Sequence, residues 1–254
     1  MPDTMHFNII KVTLQEILPY RDLFLHEINR QIRYNACHER GWSDSYLLYA
    51  NDAVIGYGSV KGQETADRDT IFEFYLLQGY QHLASRIFPY LLAASGAKFI
   101  ETQSNAMLLT TMLYEYATGI RADAILFEED QTTCLAVPEV NFRSKEDYES
   151  TFGKKVEDGS NYVLELGGEV VASGDFLLHY NKPFADLYME VSEAHRQKGL
   201  GSFLIQELKK VCYQAGRVPA ARCSIQNKAS KATLLKGGLR VAGCMLIGEI
   251  KKSS

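Results

Sequence analysis

The chain has 254 residues, room for one large domain or two ordinary ones. Hydrophobic content of 46% and charged content of 23% are those of a folded water-soluble protein, and a net charge of −4 argues against a general nucleic-acid binder. No apolar run approaches the roughly eighteen residues of a membrane span, so none is expected. The opening residues MPDTMHFNII lack the basic-then-apolar layout of a secretory signal. The five cysteines, Cys37, Cys134, Cys212, Cys223 and Cys244, are odd in number and form no C-x-x-C pair. That pattern argues against a disulfide framework or a metal site and points to a reducing, cytoplasmic setting.

In chain order, Leu14–Arg40 is rich in helical pattern. Tyr46–Gly58 then reads as a β-hairpin, with Asn51 and Asp52 as its turn. The strand TIFEFYLL follows, and a polar loop leads into a helix over Ser85–Ala94. Pro89 is placed in that helix's opening turn, where proline is tolerated. The strand AKFIETQ, a helix opened by Asn105 and the strand ADAILFEE complete this half. After residues 131–140 the same order returns. A short helix around Lys145–Phe152 precedes a second hairpin, Tyr162–Gly174, turned by Gly167 and Gly168. The strand FADLYMEV, a helix over Gly199–Gln214, the strand AARCSIQ, a helix opened by Asn227 and the strand CMLIGEI follow. The helix places Leu200, Phe203, Leu204, Leu208, Val211 and Cys212 on one face, with Gly216 to end it.

The two hairpins superimpose without a gap, and four of the thirteen pairs are identical: Tyr46/Tyr162, Leu48/Leu164, Val54/Val170 and Gly58/Gly174. The chain therefore reads as two copies of one α/β unit, 1–133 and 134–254, each closed by its own last strand. Charge divides unevenly between the halves. Residues 1–130 carry 10 basic and 17 acidic side chains, and residues 131–254 carry 17 and 14. Such a balance suits an anionic ligand in the C-terminal half and a cationic one in the N-terminal half, or plain surface solubility.

One loop carries chemistry: Arg196-Gln197-Lys198-Gly199-Leu200-Gly201-Ser202, just ahead of a helix. A dinucleotide fingerprint would need a third glycine where Leu204 stands, and a Walker loop is absent. What remains is a phosphate seat. Glycines let backbone N–H groups approach phosphate oxygens, the helix start adds partial positive charge, and Arg196 and Lys198 add full charges. The bland alternative is a glycine-rich turn with solvated basic residues.

The strand, this loop, the helix, the next strand and NKASKATLLKGGL together resemble the GNAT superfamily of N-acetyltransferases. Arg196, Gly199 and Gly201 fall on its R/Q-x-x-G-x-G/A motif, and Asn227, Ser230, Leu234, Lys236 and Gly238 hold the spacing of its later helix. The resemblance covers about residues 160–250. It is weaker over 46–128, where the corresponding loop, QGYQHLASR, has Gly79 but no G-x-G. It implies an α/β (α+β) mixed-sheet fold, two GNAT-like domains in tandem, with the N-terminal copy degenerate and lacking the cofactor seat.

The resemblance further implies acetyl-CoA, or another acyl-CoA, as donor. Its pyrophosphate would sit on the backbone of Gln197–Ser202, its pantetheine against the strand edge at Met189–Val191, and Asn227 would hydrogen-bond the arm. Acyl transfer to an amine needs a base, and a donor for the developing oxyanion. Glu190 and Asp186 are candidate bases on the strand before the loop, or else part of a solvated face or an ion pair. Many relatives place a tyrosine where this chain has Leu234, so protonation of the leaving thiolate from that position is ruled out. His195 reads as a cofactor contact or surface residue. Cys223 reads as a small buried hydrophobe in preference to an acyl carrier, and CHERGW (Cys37–Trp42) as a helix end. The expected function is transfer of an acetyl group from acetyl-CoA to a small-molecule amine, with the acidic N-terminal half favouring a cationic acceptor. The alternative is a CoA-binding sensor or scaffold without turnover.

Overall fold

The computed structural model describes residues 5–27, 35–157 and 159–251. Part of the helical pattern read over Leu14–Arg40, residues 28–34, lies outside them. The chain forms two compact units, one of residues up to 123 together with those from 244 onward, the other essentially residues 124–243.

In the first unit, β1 (Phe7–Val12), α1 (Leu14–Glu27) and α2 (Asn35–Glu39) precede β2 (Ser43–Ala50) and β3 (Ala53–Lys61). Next come β4 (Thr70–Leu76), α3 (Ala84–Ser95), β5 (Phe99–Gln103), α4 (Met107–Tyr116) and the first half of the long strand β6 (Ala117–Glu129). β1 to β4 pair antiparallel in sequence order, and β4 pairs parallel with β5. α3 turns Ala84, Ile87, Phe88 and Leu91 into one core, while Ile17 and Phe24 of α1 join Leu47, Tyr57 and Tyr75 in another. Pro89 stands at the sixth residue of α3, beyond the opening turn expected for it. Lacking an N–H, it leaves the Ser85 carbonyl without its helical donor, and the Tyr116 hydroxyl donates to that oxygen at 2.7 Å.

The second unit adds β7 (Val140–Ser144), α5 (Lys145–Phe152), β8 (Tyr162–Leu166), β9 (Glu169–Leu177) and β10 (Phe184–Val191). It continues with α6 (Leu200–Gln214), β11 (Val218–Ser224), α7 (Lys228–Lys236) and the first half of β12 (Leu239–Ile250). Its ladder repeats that of the first unit: β7 to β10 antiparallel, then β10 parallel to β11. Gly167 and Gly168 have φ of 59° and 81°, the left-handed pair that a tight hairpin turn requires. α6 packs Leu200, Leu204, Ile205, Leu208 and Cys212 on the sheet, with Phe203 and Val211 half-buried beside them, and ends at Gly216 with φ 68°.

The closing strands pair differently from expectation. The sequence places ADAILFEE and CMLIGEI each as the last strand of its own half. Instead Ala124–Glu128 of β6 pairs antiparallel with β11 of the second unit, and Met245–Glu249 of β12 with β5 of the first. Ile125 and Phe127 thereby enter the second unit's core, and Leu246 and Ile250 pack on the first unit's. Local hydrophobicity marks both segments as strands but does not name their partners. The sequence suggests a division between residues 133 and 134; the compact units divide at 123/124 and again at 243/244. The segment after β6 is no free linker: Gln206 of α6 accepts from Thr133 and the Leu135 N–H and donates to the Leu135 carbonyl.

Candidate functional site

β10 alternates as a strand must. Ala185, Leu187, Met189 and Val191 pack toward the α6 side, so Asp186, Tyr188 and Glu190 lie on the opposite face. Its ladder to β11 runs from Phe184/Val218 to Asp186/Ala220 and stops there. Past Asp186, alternate N–H and C=O groups of β10 face the gap where β11 leaves it.

After β10 the chain passes through a short 3-10 turn, Glu193–His195, into the loop. Gln197 and Gly199 take the left-handed conformation, φ 63° and 82°, which aims the start of α6 back at the strand. No side chain caps α6, and its first helical hydrogen bond runs from Phe203 N–H to the Gly199 carbonyl. The N–H groups of Leu200, Gly201 and Ser202 are therefore left outside the helix ladder, at its positive end. Gly201 has a different reason to be glycine. A Cβ there would come within 3.0 Å of Thr233 Cγ2 and 3.2 Å of Met189 Cε, so its absence lets α6, α7 and β10 close together.

A cavity of about 600 Å³ opens at this point. Met189, Glu190 and Val191 of β10 border it, with Arg196, Gln197, Gly199, Leu200, Gly201 and Ser202 of the loop and Asn227 ahead of α7. Nine of the ten residues assigned to a cofactor thus come together around one space. Lys198 does not border it; its ammonium donates to the Ala194 carbonyl at 3.1 Å. Arg196 Nε donates to the Val191 carbonyl at 3.2 Å and ties the loop to the strand end. The Ser202 hydroxyl donates to the Thr233 carbonyl, leaving its backbone N–H for a ligand. Asn227 Oδ1 accepts from Ser230 N–H and caps α7, so its amide N–H groups are the donors it can offer outward.

Of the two candidate bases, Glu190 borders the cavity, and Asp186 does not. Asp186 is buried, and its Oδ2 lies 3.1 Å from His179 Nε2. Leu234, in the tyrosine position, is buried in the core with Leu200 and Leu204. Cys223 is buried in the same core, and burial pushes its thiol pKa up, the profile of a packing residue. His195 borders the cavity and its Nδ1 sits 2.9 Å from Ser192 Oγ. Cys37 and His38 lie within α2, at the helix end expected of CHERGW.

Two contributors carried no role in the sequence reading. Lys236 Nζ lies 3.9 Å from the point a Gly199 Cβ would occupy, so a second cation stands beside the loop. His179 lies on the segment between β9 and β10, and only the return of that segment onto the strand brings it to Asp186. Its signal in the sequence was nil, whereas Lys236 could have been found from its place in the later helix motif. In the first unit the corresponding segment is a 3-10 helix, Gln78–Leu83, that runs directly into α3 with Leu83 buried. Among the described residues no three His, Cys, Asp or Glu side chains are grouped to hold a metal ion, and no helix is long and apolar enough to cross a membrane.

Comparison with known proteins agrees with this geometry. The model of the acetyltransferase (GNAT) family matches residues 125–236, and that of an acetyltransferase (GNAT) domain matches residues 13–130. No curated protein matches the chain. Among solved structures, a GNAT-family acetyltransferase from Colwellia psychrerythraea is similar with a TM-score of 0.72 at 15% identity, over 96% of this chain and 100% of its own. A GCN5-related N-acetyltransferase from Sphaerobacter thermophilus reaches 0.57 at 12% identity, over 100% and 98%. A tandem GNAT protein from the clavulanic acid biosynthesis pathway reaches 0.50 at 10% identity, over 98% and 100%. With the two family models meeting near residue 125, one on each side, the chain belongs to the GNAT acetyltransferase family and carries two of its domains in tandem.

Proposed function

We propose that the second unit binds acetyl-CoA and transfers its acetyl group to the amine of a small molecule, and that the first unit has lost its cofactor seat. One observation carries this reading: the cavity joins three uncapped N–H groups of α6, the Arg196 cation and a strand edge that has parted from its neighbour, with Lys236 beside Gly199. The N–H groups and Arg196 suit a pyrophosphate, which brings negative charge to a helix start. The backbone of β10 beyond Asp186 suits the amides of pantetheine, and Asn227 adds donors beside them. Acetyl-CoA supplies the activated thioester. The protein holds it extended, presents N–H groups at the strand edge and leaves the other face of β10 to the acceptor. The acidic N-terminal half favours a cationic amine.

Titration calorimetry with acetyl-CoA and a thiol-release assay over a panel of amines test the proposal. Micromolar binding with release of free CoA for at least one amine is expected. Tight binding with silence across the panel would favour the sensor or scaffold reading.

A further inference from the structure

The two carboxylates first considered as bases stand at opposite ends of β10. Glu190 is one residue from Val191, whose carbonyl accepts from Arg196 of the phosphate loop. Asp186 is five residues from Val191, or about 16 Å of strand at roughly 3.3 Å each. The arm from pyrophosphate to sulfur in CoA has about twelve backbone bonds. An extended peptide covers about three bonds per residue, so the arm spans about four residues, or ~14 Å. A thioester laid along β10 from the loop therefore ends beside Leu187 and Asp186, where the β10–β11 ladder closes, and roughly 13 Å of strand separates it from Glu190.

At that point His179 Nε2 lies 3.1 Å from Asp186 Oδ2, within ion-pair distance but with its N–H not aligned on the oxygen, so a turn of the ring is needed to make the hydrogen bond. The imidazole has two neighbours. Its ring stands edge-on against Tyr180, with centroids 4.5 Å apart, and Tyr180 is itself buried. Asp186 is set by the last rung of the ladder to β11. Nε2 is the buried nitrogen beside the carboxylate, so Nδ1 is the one left to meet a substrate, and the side chain keeps about a fifth of its surface exposed. The dyad shares the face of β9 and β10 that α6 does not cover. α5 packs on β7 and β8, and Leu177, Leu178 and Tyr188 remain exposed nearby.

We infer that His179 is the proton acceptor for the acetyl transfer and that Asp186 is its positioning residue; the inference rests on the transferase reading above. The acceptor nitrogen forms a bond to the thioester carbonyl carbon. The carbon–sulfur bond breaks, and its electron pair leaves with sulfur. The proton lost by the amine goes to His179 Nδ1, and from there to the departing thiolate or to water. Asp186 holds the tautomer with the proton on Nε2 and stabilises the imidazolium formed in the step, as a carboxylate partner does for a general-base histidine.

The test uses the full chain, acetyl-CoA and the best amine from the panel. H179Q should lower kcat by about a hundredfold or more, the usual worth of a positioned base. Its acetyl-CoA affinity by calorimetry should stay within about twofold of wild type, and added imidazole should restore part of the rate. D186N should lower kcat with little change in the KM for acetyl-CoA. The double variant should be no slower than H179Q, because the two act as one unit. If H179Q loses acetyl-CoA binding, D186N takes its place, with the same loss of kcat expected. Wild-type turnover with kcat retained within about threefold in the folded variant would overturn the dyad and leave the transferase reading standing. Acetyl-CoA binding without turnover of any amine in the wild type would overturn both.

Discussion

Gly199 and Gly216 sit at opposite ends of α6, both in the left-handed region, with φ of 82° and 68°. Alanine at either would meet open space: the nearest atom to a Gly199 Cβ is Lys236 Nζ at 3.9 Å, and nothing lies within 4 Å at Gly216. The substitution therefore adds only a torsional cost, about 1–2 kcal/mol for a residue with a Cβ. That cost can appear in two ways. A backbone that keeps its conformation stores it as lost stability; a backbone that rotates away sheds it, and must recover it on binding. Gly216 is pinned by its own N–H to the Tyr213 carbonyl at 2.9 Å and by its neighbour's, Arg217 to Cys212, at 3.0 Å. G216A should keep its shape and lose about 2–8 °C in Tm, with acetyl-CoA affinity unchanged. Gly199 is held only on its helix side, where its carbonyl accepts from Phe203 at 3.1 Å, and on the other side follows the exposed run Arg196–Lys198, about which its φ can turn. G199A should hold its Tm more closely and bind acetyl-CoA about five- to thirtyfold more weakly, since 1.4 kcal/mol is about tenfold. Calorimetry and thermal melts of both variants read this directly. Equal weakening by G216A, or unaltered affinity in G199A, would refute the assignment of the phosphate seat to the start of α6.

Removing Arg196 or Lys236 by alanine should weaken acetyl-CoA binding about tenfold at low salt, the lower end for a charge-assisted contact at an exposed site, and the gap should narrow at 0.5 M salt. Lys198→Ala should change it by no more than about threefold, because its ammonium is turned to the Ala194 carbonyl, whereas Lys236 stands beside Gly199. The Gly168 N–H first, then Asn141 and Arg143, hold the Glu165 carboxyl below the ordinary carboxylate range. A lowered folded pKa stabilises above the unfolded value, about 4.3, and the gain is lost as pH falls through the folded one. E165Q should therefore melt below wild type at pH 7, and the two curves should converge as pH falls below about 4. Burial pushes the Cys212 thiol up to about 11 and raises those of Cys37 and Cys223, while Cys134 is exposed. Iodoacetamide should label Cys134 first in the folded protein, read by peptide mass; prompt labelling of Cys223 would reopen an acyl-cysteine.

The sequence disclosed what is written in local period and turn chemistry. Both hairpins, the face of α6 and the helix Lys145–Phe152 follow from apolar spacing and from Gly167, Gly168 and Gly216. It did not disclose β1 and β7. Each is short and half-polar, and each becomes a strand because the neighbouring hairpin offers it an edge. Nor did it disclose the exchanged pairings of β6 and β12, since a strand's hydrogen-bonding groups are the same toward any partner. The loop proposed as a phosphate seat was legible because its residues are contiguous. The His179–Asp186 contact was not, because it depends on how the six residues between them turn.

The repeat also shows how one scaffold can keep or close a site. The register of β3 with β4 sets Gly58 opposite Phe74, as that of β9 with β10 sets Gly174 opposite Met189. Glu73 in the first unit thus answers to Tyr188; beyond it a bulge opposite Ser59 and Val60 turns Ile71 into the α3 core, so no side chain there matches Asp186. In the first unit this face lies under α1, whose inward stripe is Ile17, Arg21 and Phe24. An arginine in such a stripe needs an anion, and Glu73 provides one at 3.1 Å while also accepting from Tyr57 and contacting His38. Removing only one partner would leave a buried charge uncompensated, a change that costs several kcal/mol. The network is therefore self-consistent only when complete, and it fills the room an acceptor would need. In the second unit α5 packs mainly on β7 and β8 and reaches β9 only at its start, at Val170, and the same face keeps a carboxylate and an imidazole beside exposed apolar side chains. The difference between a closed copy and an open one thus lies in the helical segment ahead of each hairpin. The strands alone, which look alike in both halves, do not reveal it.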